Sequence, residues 1–361
     1  MEALKIRSEA MLGTTHSWAV TMRSLLHQFD KLGHDLFLKS INGYGLFPKD
    51  WNAYKRSIGS PDIDITYTLP RNFGDRFSSG SKLKLAIYNY ETSKMPEVWK
   101  DQINYIDYAL PSSNFSKEVF VNAGWPEDRC IVIPHGINPE DFEDKSKADD
   151  LKTKKSFKFL NVSIPHYRKN IGLLVDAYYS EFTDNDDVCL VLKTSLKKPK
   201  YKFECDVTKE IVAVQKRHRG RRLPQIEISQ KRYDSMVPLY NACDCLVSAT
   251  SAEGFGLPLL EALAAKMVVV APRASGQLDF LNDSNSLLVD TQVIEAPDRY
   301  QYWRPTSGAT THLPEKEHLA LQMRSAYSDF LNIKNRISAG AQSTVSEFTW
   351  ENAARKILDI A

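Results

Sequence analysis

The stretch that most restricts what this chain can become is Ser251-Ala252-Glu253-Gly254-Phe255-Gly256-Leu257-Pro258-Leu259-Leu260-Glu261. The apolar run before it, Cys245-Leu246-Val247-Ser248, reads as a buried parallel strand. The residues after it, Leu259 to Lys266, are good helix formers. Pro258 suits the first turn of that helix, where no backbone N–H is needed. Gly254 and Gly256 permit a tight strand-to-helix turn and a close approach of ligand to backbone. Glu253 then stands on the loop and Glu261 one turn into the helix, at the rim of a sheet. Backbone N–H groups at a helix start favour an anion. Loops beyond the carboxyl ends of parallel strands are where open α/β sheets bind ligands. The competing reading is an ordinary strand-to-helix turn with solvated carboxylates.

The rest of the chain repeats this rhythm. Met22, Leu25, Leu26, Phe29 and Leu32 recur at the spacing of one helix face, Gly33 ends the helix, and a strand begins at His34. Ile63–Tyr67, Leu83–Tyr88, Ile106–Leu110 and Cys130–Ile133 read as further strands, with a helix from Ser113 to Ala123. Glu140 to Lys155 is charged and aperiodic, a connection between domains. Beyond it, strands at Phe159–Ser163, Val188–Leu192, Ile226–Ile228, Cys245–Val247, Met267–Val270 and Leu287–Val289 alternate with helices at Ile171–Tyr179, Val207–Lys216 and Tyr233–Asn241. Alternation of this kind argues for parallel sheets covered by helices. Residues 296–314, with Tyr300, Tyr302 and Trp303, read as a mobile flap or an ordered surface loop.

A length of 361 residues suits two domains. No window approaches the run of about 20 apolar residues that spans a bilayer, and Met1–Arg7 lacks the apolar core of a signal peptide. Five scattered cysteines fit neither a disulfide framework nor a zinc site, so a cytoplasmic location is expected. Charge is uneven: residues 193–222 hold eleven Lys or Arg against three Asp or Glu. This is a solvated surface or a patch attracted to an anionic acceptor or to the inner face of a membrane. Nucleic acid is disfavoured, because no aromatic stacking pattern runs through the cluster.

Glu253-Gly-Phe-Gly-Leu-Pro-x-x-Glu261 resembles the signature of retaining glycosyltransferases of family 4, the glycosyl transferases group 1. The resemblance implies an α/β GT-B fold, with two Rossmann-like domains facing across a cleft and a C-terminal helix crossing back to the first domain. The domains are then residues 1–150 on the acceptor side, 151–346 for the nucleotide-sugar, and 347–361 for the returning helix, where Trp350, Ala353, Ile357 and Leu358 share a face. Pro134-His135-Gly136 is similar to the family's segment at the end of the first domain. The implied activity is metal-independent transfer of a hexose from a UDP- or GDP-sugar to a glycan or lipid-linked acceptor. No cofactor is implied, and no protein nucleophile, because leaving-group phosphate takes the acceptor proton in a same-face attack.

The resemblance also assigns residues. Arg168 and Lys169, at the end of the first strand of the second domain, resemble the basic pair that holds the diphosphate, with Ser163 as an alternative register. Glu261 takes the ribose hydroxyls. Glu253 takes the donor sugar, with backbone around Gly254, Phe255, Gly256 and Leu257. Gly13, in Met11-Leu12-Gly13-Thr14-Thr15-His16-Ser17, stands where the family has two glycines near the phosphates. Ser275-Gly276-Gln277-Leu278-Asp279 resembles a family segment with Asp in place of Glu. The family's first-domain His is missing after Tyr88, which makes Glu91 the candidate to touch sugar or acceptor, as a base or orienting group, with His16 second. Asp62-Ile63-Asp64 matches the metal-binding Asp-x-Asp of the other, GT-A, architecture, but between Ile63 and Ile65 it reads as a strand with a polar face. A nucleotide-sugar epimerase of GT-B architecture and a non-catalytic glycan-binding relic are the alternatives.

Overall fold

The computed structural model describes residues 2–14, 16–41, 43, 51, 58–301 and 306–361. Thr15, Tyr302 and Trp303, singled out in the sequence, lie outside the described residues. The chain forms two compact units. One comprises residues 1–90, 94–136 and 348–361, the other residues 91–93 and 137–347. The boundary expected at residue 150 thus falls at Gly136, and 137–150 belongs to the second unit.

The first unit is built on a parallel sheet of β1 (Lys5–Ala10), β2 (Asp35–Ser40), β3 (Ile63–Tyr67), β4 (Leu83–Ile87) and β5 (Tyr108–Leu110), in the order β2-β1-β3-β4-β5. Helix α1 (Ser17–Lys31) buries Met22, Leu25, Leu26 and Phe29, and α2 (Asn114–Asn122) starts where the Ser113 hydroxyl accepts from the Ser116 N–H. β1 was not anticipated: it shows no apolar period, and its buried residues include Ser8 and Glu9. Two expectations change. β3 has no solvated face, since all five of its residues are buried. The segment at Cys130 makes a single bridge to Ala109 rather than a strand. The C-terminal helix Trp350–Leu358 belongs to this unit. A Cβ on Gly136 would collide with the backbone of Thr349 and Trp350, so the helix start needs glycine there.

The second unit has a six-stranded parallel sheet: β6 (Phe157–Val162), β7 (Val188–Lys193), β8 (Gln225–Ser229), β9 (Cys245–Val247), β10 (Val268–Pro272) and β11 (Leu287–Val289), in the order β11-β10-β9-β6-β7-β8. Its covering helices are α3 (Ile171–Glu181), α4 (Val207–Arg217), α5 (Val237–Asn241), α6 (Leu257–Ala264), α7 (Lys316–Ser328) and α8 (Phe330–Glu347). Leu174, Tyr178, Leu190, Val247, Val270 and Met323 form part of one core between sheet and helices. Within the stretch read as a mobile flap or an ordered surface loop, Thr310–Pro314 is a strand, β13, paired antiparallel with β12 (Thr291–Glu295). These two parallel α/β units are the pair of Rossmann-like sheets that make up the GT-B fold.

Strand order places the chemistry. β6 and β9 are hydrogen-bonded parallel neighbours. Their following loops, 163–170 and 248–256, therefore leave the same edge of the sheet side by side.

Candidate functional site

The site grows from those two loops. Asn170 ends the first in a left-handed conformation, φ 50°. Such a residue needs local support, and its amide supplies it. Nδ2 donates to the Ala249 carbonyl at 2.9 Å and to Ser251 Oγ at 2.8 Å, while Oδ1 accepts from the Tyr300 hydroxyl at 2.6 Å. The Ser251 N–H donates to the Arg168 carbonyl at 2.7 Å. β13 locks the second loop from its other side, since His312 N–H and Thr311 Oγ1 both donate to the Ser251 carbonyl at 3.2 Å. On the far side of the turn, Gly256 adopts φ 98°, and a Cβ there would press Leu259 at 3.0 Å. The glycine of the motif is thus fixed by backbone geometry as well as by space.

These loops bring a charged group together. Arg168 Nη1 donates to the Ala252 carbonyl at 2.6 Å and lies 3.3 Å from Glu253 Oε2; Nη2 donates to Glu91 Oε1 at 3.1 Å. Lys169 Nζ donates to Glu253 Oε1. The four side chains are 7 % (Arg168), 14 % (Lys169), 13 % (Glu253) and 18 % (Glu91) exposed, mostly withdrawn from water yet open at one side. The Glu253 N–H donates to Ser275 Oγ at 2.9 Å, and the Glu253 carbonyl accepts from the Gly276 N–H at 3.0 Å. The Ser275-Gly276 segment therefore holds this turn in place. Glu91 belongs to the second unit because its neighbour Ser93 is tied to β13: Ser93 N–H donates to the Thr310 carbonyl at 3.0 Å, and Thr310 N–H to Ser93 Oγ at 2.7 Å.

Burial pushes the Glu253 carboxyl upward, but the Lys169 and Arg168 cations outweigh it and hold Glu253 down at about 2. Glu91 moves the other way: burial raises it and Arg168 only partly offsets that, while the Glu253 charge raises it further. Burial also lowers Lys169. His166, whose Nδ1 accepts from the Arg168 N–H at 3.1 Å, is driven down to about 2 by burial and by the two cations, so it stays neutral.

Glu261 lies apart from this group in its bonding. Its Oε2 accepts from the buried Tyr240 hydroxyl at 2.5 Å. Burial raises the Glu261 carboxyl to about 7, against the Tyr240 hydrogen bond, which pulls it down. Tyr240 and Asn170 are site-building residues that motif reading did not find, whereas Ser275 and Tyr300 stood in segments already marked in the sequence but without these roles.

Other expected residues sit elsewhere. Gly254, Phe255 and Gly256 are buried, and Leu257 is half-buried at the start of α6. Ser163 donates to Asn161 Oδ1 at 2.7 Å, a bond that caps the end of β6, while the guanidinium beside Glu253 comes from Arg168. Gly13 is in the first unit, in a loop that Arg23 Nη1 clasps through the carbonyls of Leu12 at 2.7 Å and Thr14 at 2.8 Å. His16 caps α1, its Nδ1 accepting from the Trp18 N–H at 3.3 Å. The Asp-x-Asp carboxylates are committed to cations and hydroxyls. Asp64 accepts from Arg7 at 2.9 Å and from the Ser78 N–H and Ser81 Oγ at 2.8 Å; Asp62 accepts from Lys82 Nζ at 2.7 Å.

Residues 157–297 match the family model described as glycosyl transferases group 1. A probable sucrose-phosphate synthase of Thermosipho melanesiensis is 25 % identical over 319 residues, 85 % of this chain and 66 % of that protein. The chain thus spans slightly less than two thirds of that relative. Among solved structures, a glycosyltransferase from Rickettsia africae superposes with a TM-score of 0.70 at 18 % identity, over 100 % of this chain and 98 % of that one. Anabaena Alr3699/HepE, solved with UDP and glucose, gives 0.71 at 15 % identity over 99 % of each. These likenesses establish the fold.

Proposed function

We propose that the chain, whose residues 157–297 match the model of the glycosyl transferases group 1, transfers a hexose from a UDP- or GDP-sugar to a glycan or lipid-linked acceptor, with retention and without a metal. The observation that carries this is the convergence of Arg168 and Lys169 on Glu253, the first residue of the Glu253-x7-Glu261 motif, at one sheet edge. The UDP and glucose of the Anabaena neighbour, and the sugar chemistry in the name of the Thermosipho relative, support the same substrate class.

Breaking the bond between the anomeric carbon and phosphate leaves new charge on the diphosphate. Arg168 and Lys169 are fixed cations that answer that charge where water is scarce, so they stabilise the transition state more than the ground state. Today they are paired with Glu91 and Glu253. An incoming diphosphate replaces the Glu91 partner of Arg168, and Glu253, kept ionised, turns to the sugar hydroxyls. Glu261 accepts from the ribose hydroxyls, with Tyr240 aiming it. The acceptor oxygen bonds to the anomeric carbon on the face the phosphate leaves, and its proton passes to that phosphate. Glu91 contacts sugar or acceptor once released from Arg168. Gly13 stands near the phosphates by its place in the family pattern. The five cysteines are free thiols, which fits a cytoplasmic setting. Among the described residues, no helix is long and apolar enough to cross a membrane.

Incubation with radiolabelled UDP-glucose and GDP-mannose, followed by analysis of released sugar and of transfer to added acceptors, tests the proposal. Donor turnover that Lys169→Ala abolishes supports it. Conversion of donor to an epimer, or a folded protein that binds neither nucleotide, overturns it.

A further inference from the structure

The eleven cations counted between 193 and 222 do not act as one patch. Arg217 pairs with Asp176 and Arg221 donates to the Ser180 carbonyl, both on α3, while Arg222 pairs with Asp184 just beyond that helix, so three of them are held by the protein itself. A second set behaves differently. Residues 195–202, Ser-Leu-Lys-Lys-Pro-Lys-Tyr-Lys, carry four lysines and no acid. Lys197, Lys198, Lys200 and Lys202 are all exposed. Among the described residues their ammonium groups have no carboxylate partner. The nearby Glu204 carboxylate is used instead by the backbone N–H of Lys200, at 2.6 Å.

The same loop shows apolar surface. Tyr201 is 61 % exposed and Leu196 37 %, and Ile164, on the adjoining segment, is 53 % exposed. That segment is bound to the loop: Tyr167 N–H donates to the Phe203 carbonyl at 3.0 Å and Cys205 N–H to the Pro165 carbonyl at 2.9 Å. The Tyr201 ring stacks on Phe203 at 5.2 Å, and Phe203 stacks on His166 at 5.3 Å. The loop is therefore braced from beneath, with its lysines, an aromatic ring and two aliphatic side chains turned to solvent.

We propose that Ile164 and residues 195–202 are a docking surface for an anionic phospholipid membrane. Unpaired lysines face anionic headgroups, while an aromatic ring with aliphatic neighbours suits the headgroup level. Each lysine at such a surface contributes about 1 kcal/mol, roughly fivefold in binding. The exposed Leu196 and Ile164 favour lipid over a purely polar polyanion. This assignment does not depend on the sugar-transfer reading.

The test is co-sedimentation of the full chain with phosphatidylcholine vesicles, with and without phosphatidylglycerol. Binding is expected only with phosphatidylglycerol, and it should weaken as salt rises from about 0.1 to about 1 M and screening tightens from about 10 to about 3 Å. Lys198→Gln with Lys200→Gln should lower binding about 25-fold. Tyr201→Ser should weaken it at high salt as well. Lys216→Gln with Arg219→Gln, at and just beyond the exposed end of α4, should leave it unchanged, and thermal melts check that each variant is folded. Equal binding to neutral vesicles, no binding to either, equal loss in the α4 variant, or full competition by single-stranded RNA at matched charge would each overturn the proposal.

Discussion

Each unit buries a carboxylate against an arginine at a parallel sheet, and the two arrangements differ in what they leave open. In the first unit Asp64 lies within β3, 0 % exposed, and accepts from Arg7, Ser78 and Ser81. Arg7 continues to Glu9 at 2.7 Å, and Arg76 reaches Glu9 at 3.1 Å. These charges pair with one another in and beside the body of the sheet. In the second unit Glu253 stands past the end of β9, on a turn held by Asn170, Ser275 and β13, and its cations sit on the loop after the neighbouring strand. A network of charges anchored in the strands specifies the fold. A similar set of charges carried on loops at the carboxyl edge can exchange partners, which is what binding a diphosphate needs.

The widest separation is expected from removing one charge on each side. Lys169→Ala should cut turnover about 10²-fold or more, as loss of one preorganised transition-state donor does, with a smaller drop in the urea midpoint than Asp64→Asn because Arg168 still faces Glu253. Asp64→Asn should leave turnover per folded molecule unchanged and lower unfolding stability by about 3 kcal/mol, the scale for breaking a buried ion pair. Steady-state rates and urea titrations on both variants decide this. If Asp64→Asn abolished transfer in a folded protein, the distinction would fail.

Glu253→Gln should reduce turnover by about tenfold or more, the value of a charge-assisted hydrogen bond, and alter UDP affinity much less. It should also change acid stability. The native Glu253 carboxyl is held at about 2, below its ordinary value, so its stabilising effect is present above the unfolded value and lost as pH falls toward 2. Melting curves from pH 6 to pH 2 should show less loss in the Gln variant than in the wild type.

These contrasts also mark what could be read from the chain. The turn from Cys245 to Glu261 was legible because Gly254, Gly256 and Pro258 are local necessities of one strand-to-helix connection. The strand β1 was not, because Arg7 and Glu9 are matched by Asp64 on β3 and by Arg76, far along the chain, rather than by an apolar period. Membership of residues 91–93 in the second unit rests on Ser93 meeting Thr310, and the left-handed Asn170 rests on Tyr300. No local pattern announces pairings of that sequence distance. Tyr240 falls inside the helix expected at Tyr233–Asn241, where nothing in the sequence marks it. Only the fold shows its hydroxyl on Glu261.

That last pair supplies the finer tests. Glu261→Ala should weaken UDP binding about 10- to 150-fold. Tyr240→Phe should weaken it only about three- to tenfold, the scale of a single neutral hydrogen bond. The native Glu261 carboxyl is raised to about 7, so protonation favours the folded state below that value, and the contribution disappears as pH rises through about 7. UDP affinity, which uses the ionised carboxylate, should increase over the same range. Because the Tyr240 hydrogen bond lowers Glu261, Tyr240→Phe should move that rise to higher pH, and Glu261→Gln should remove it. An unshifted profile in Tyr240→Phe would mean that the hydroxyl does not govern the carboxylate.

Calorimetric titration of UDP in EDTA, on wild type, Lys169→Ala and Asp64→Asn, tests the central claim most directly, because it asks whether protein cations alone hold the nucleotide diphosphate. Wild type and Asp64→Asn are expected to bind alike without metal, and Lys169→Ala at least about tenfold more weakly. Binding that appears only after manganese is restored, falls in Asp64→Asn and is indifferent to Lys169→Ala would contradict the account.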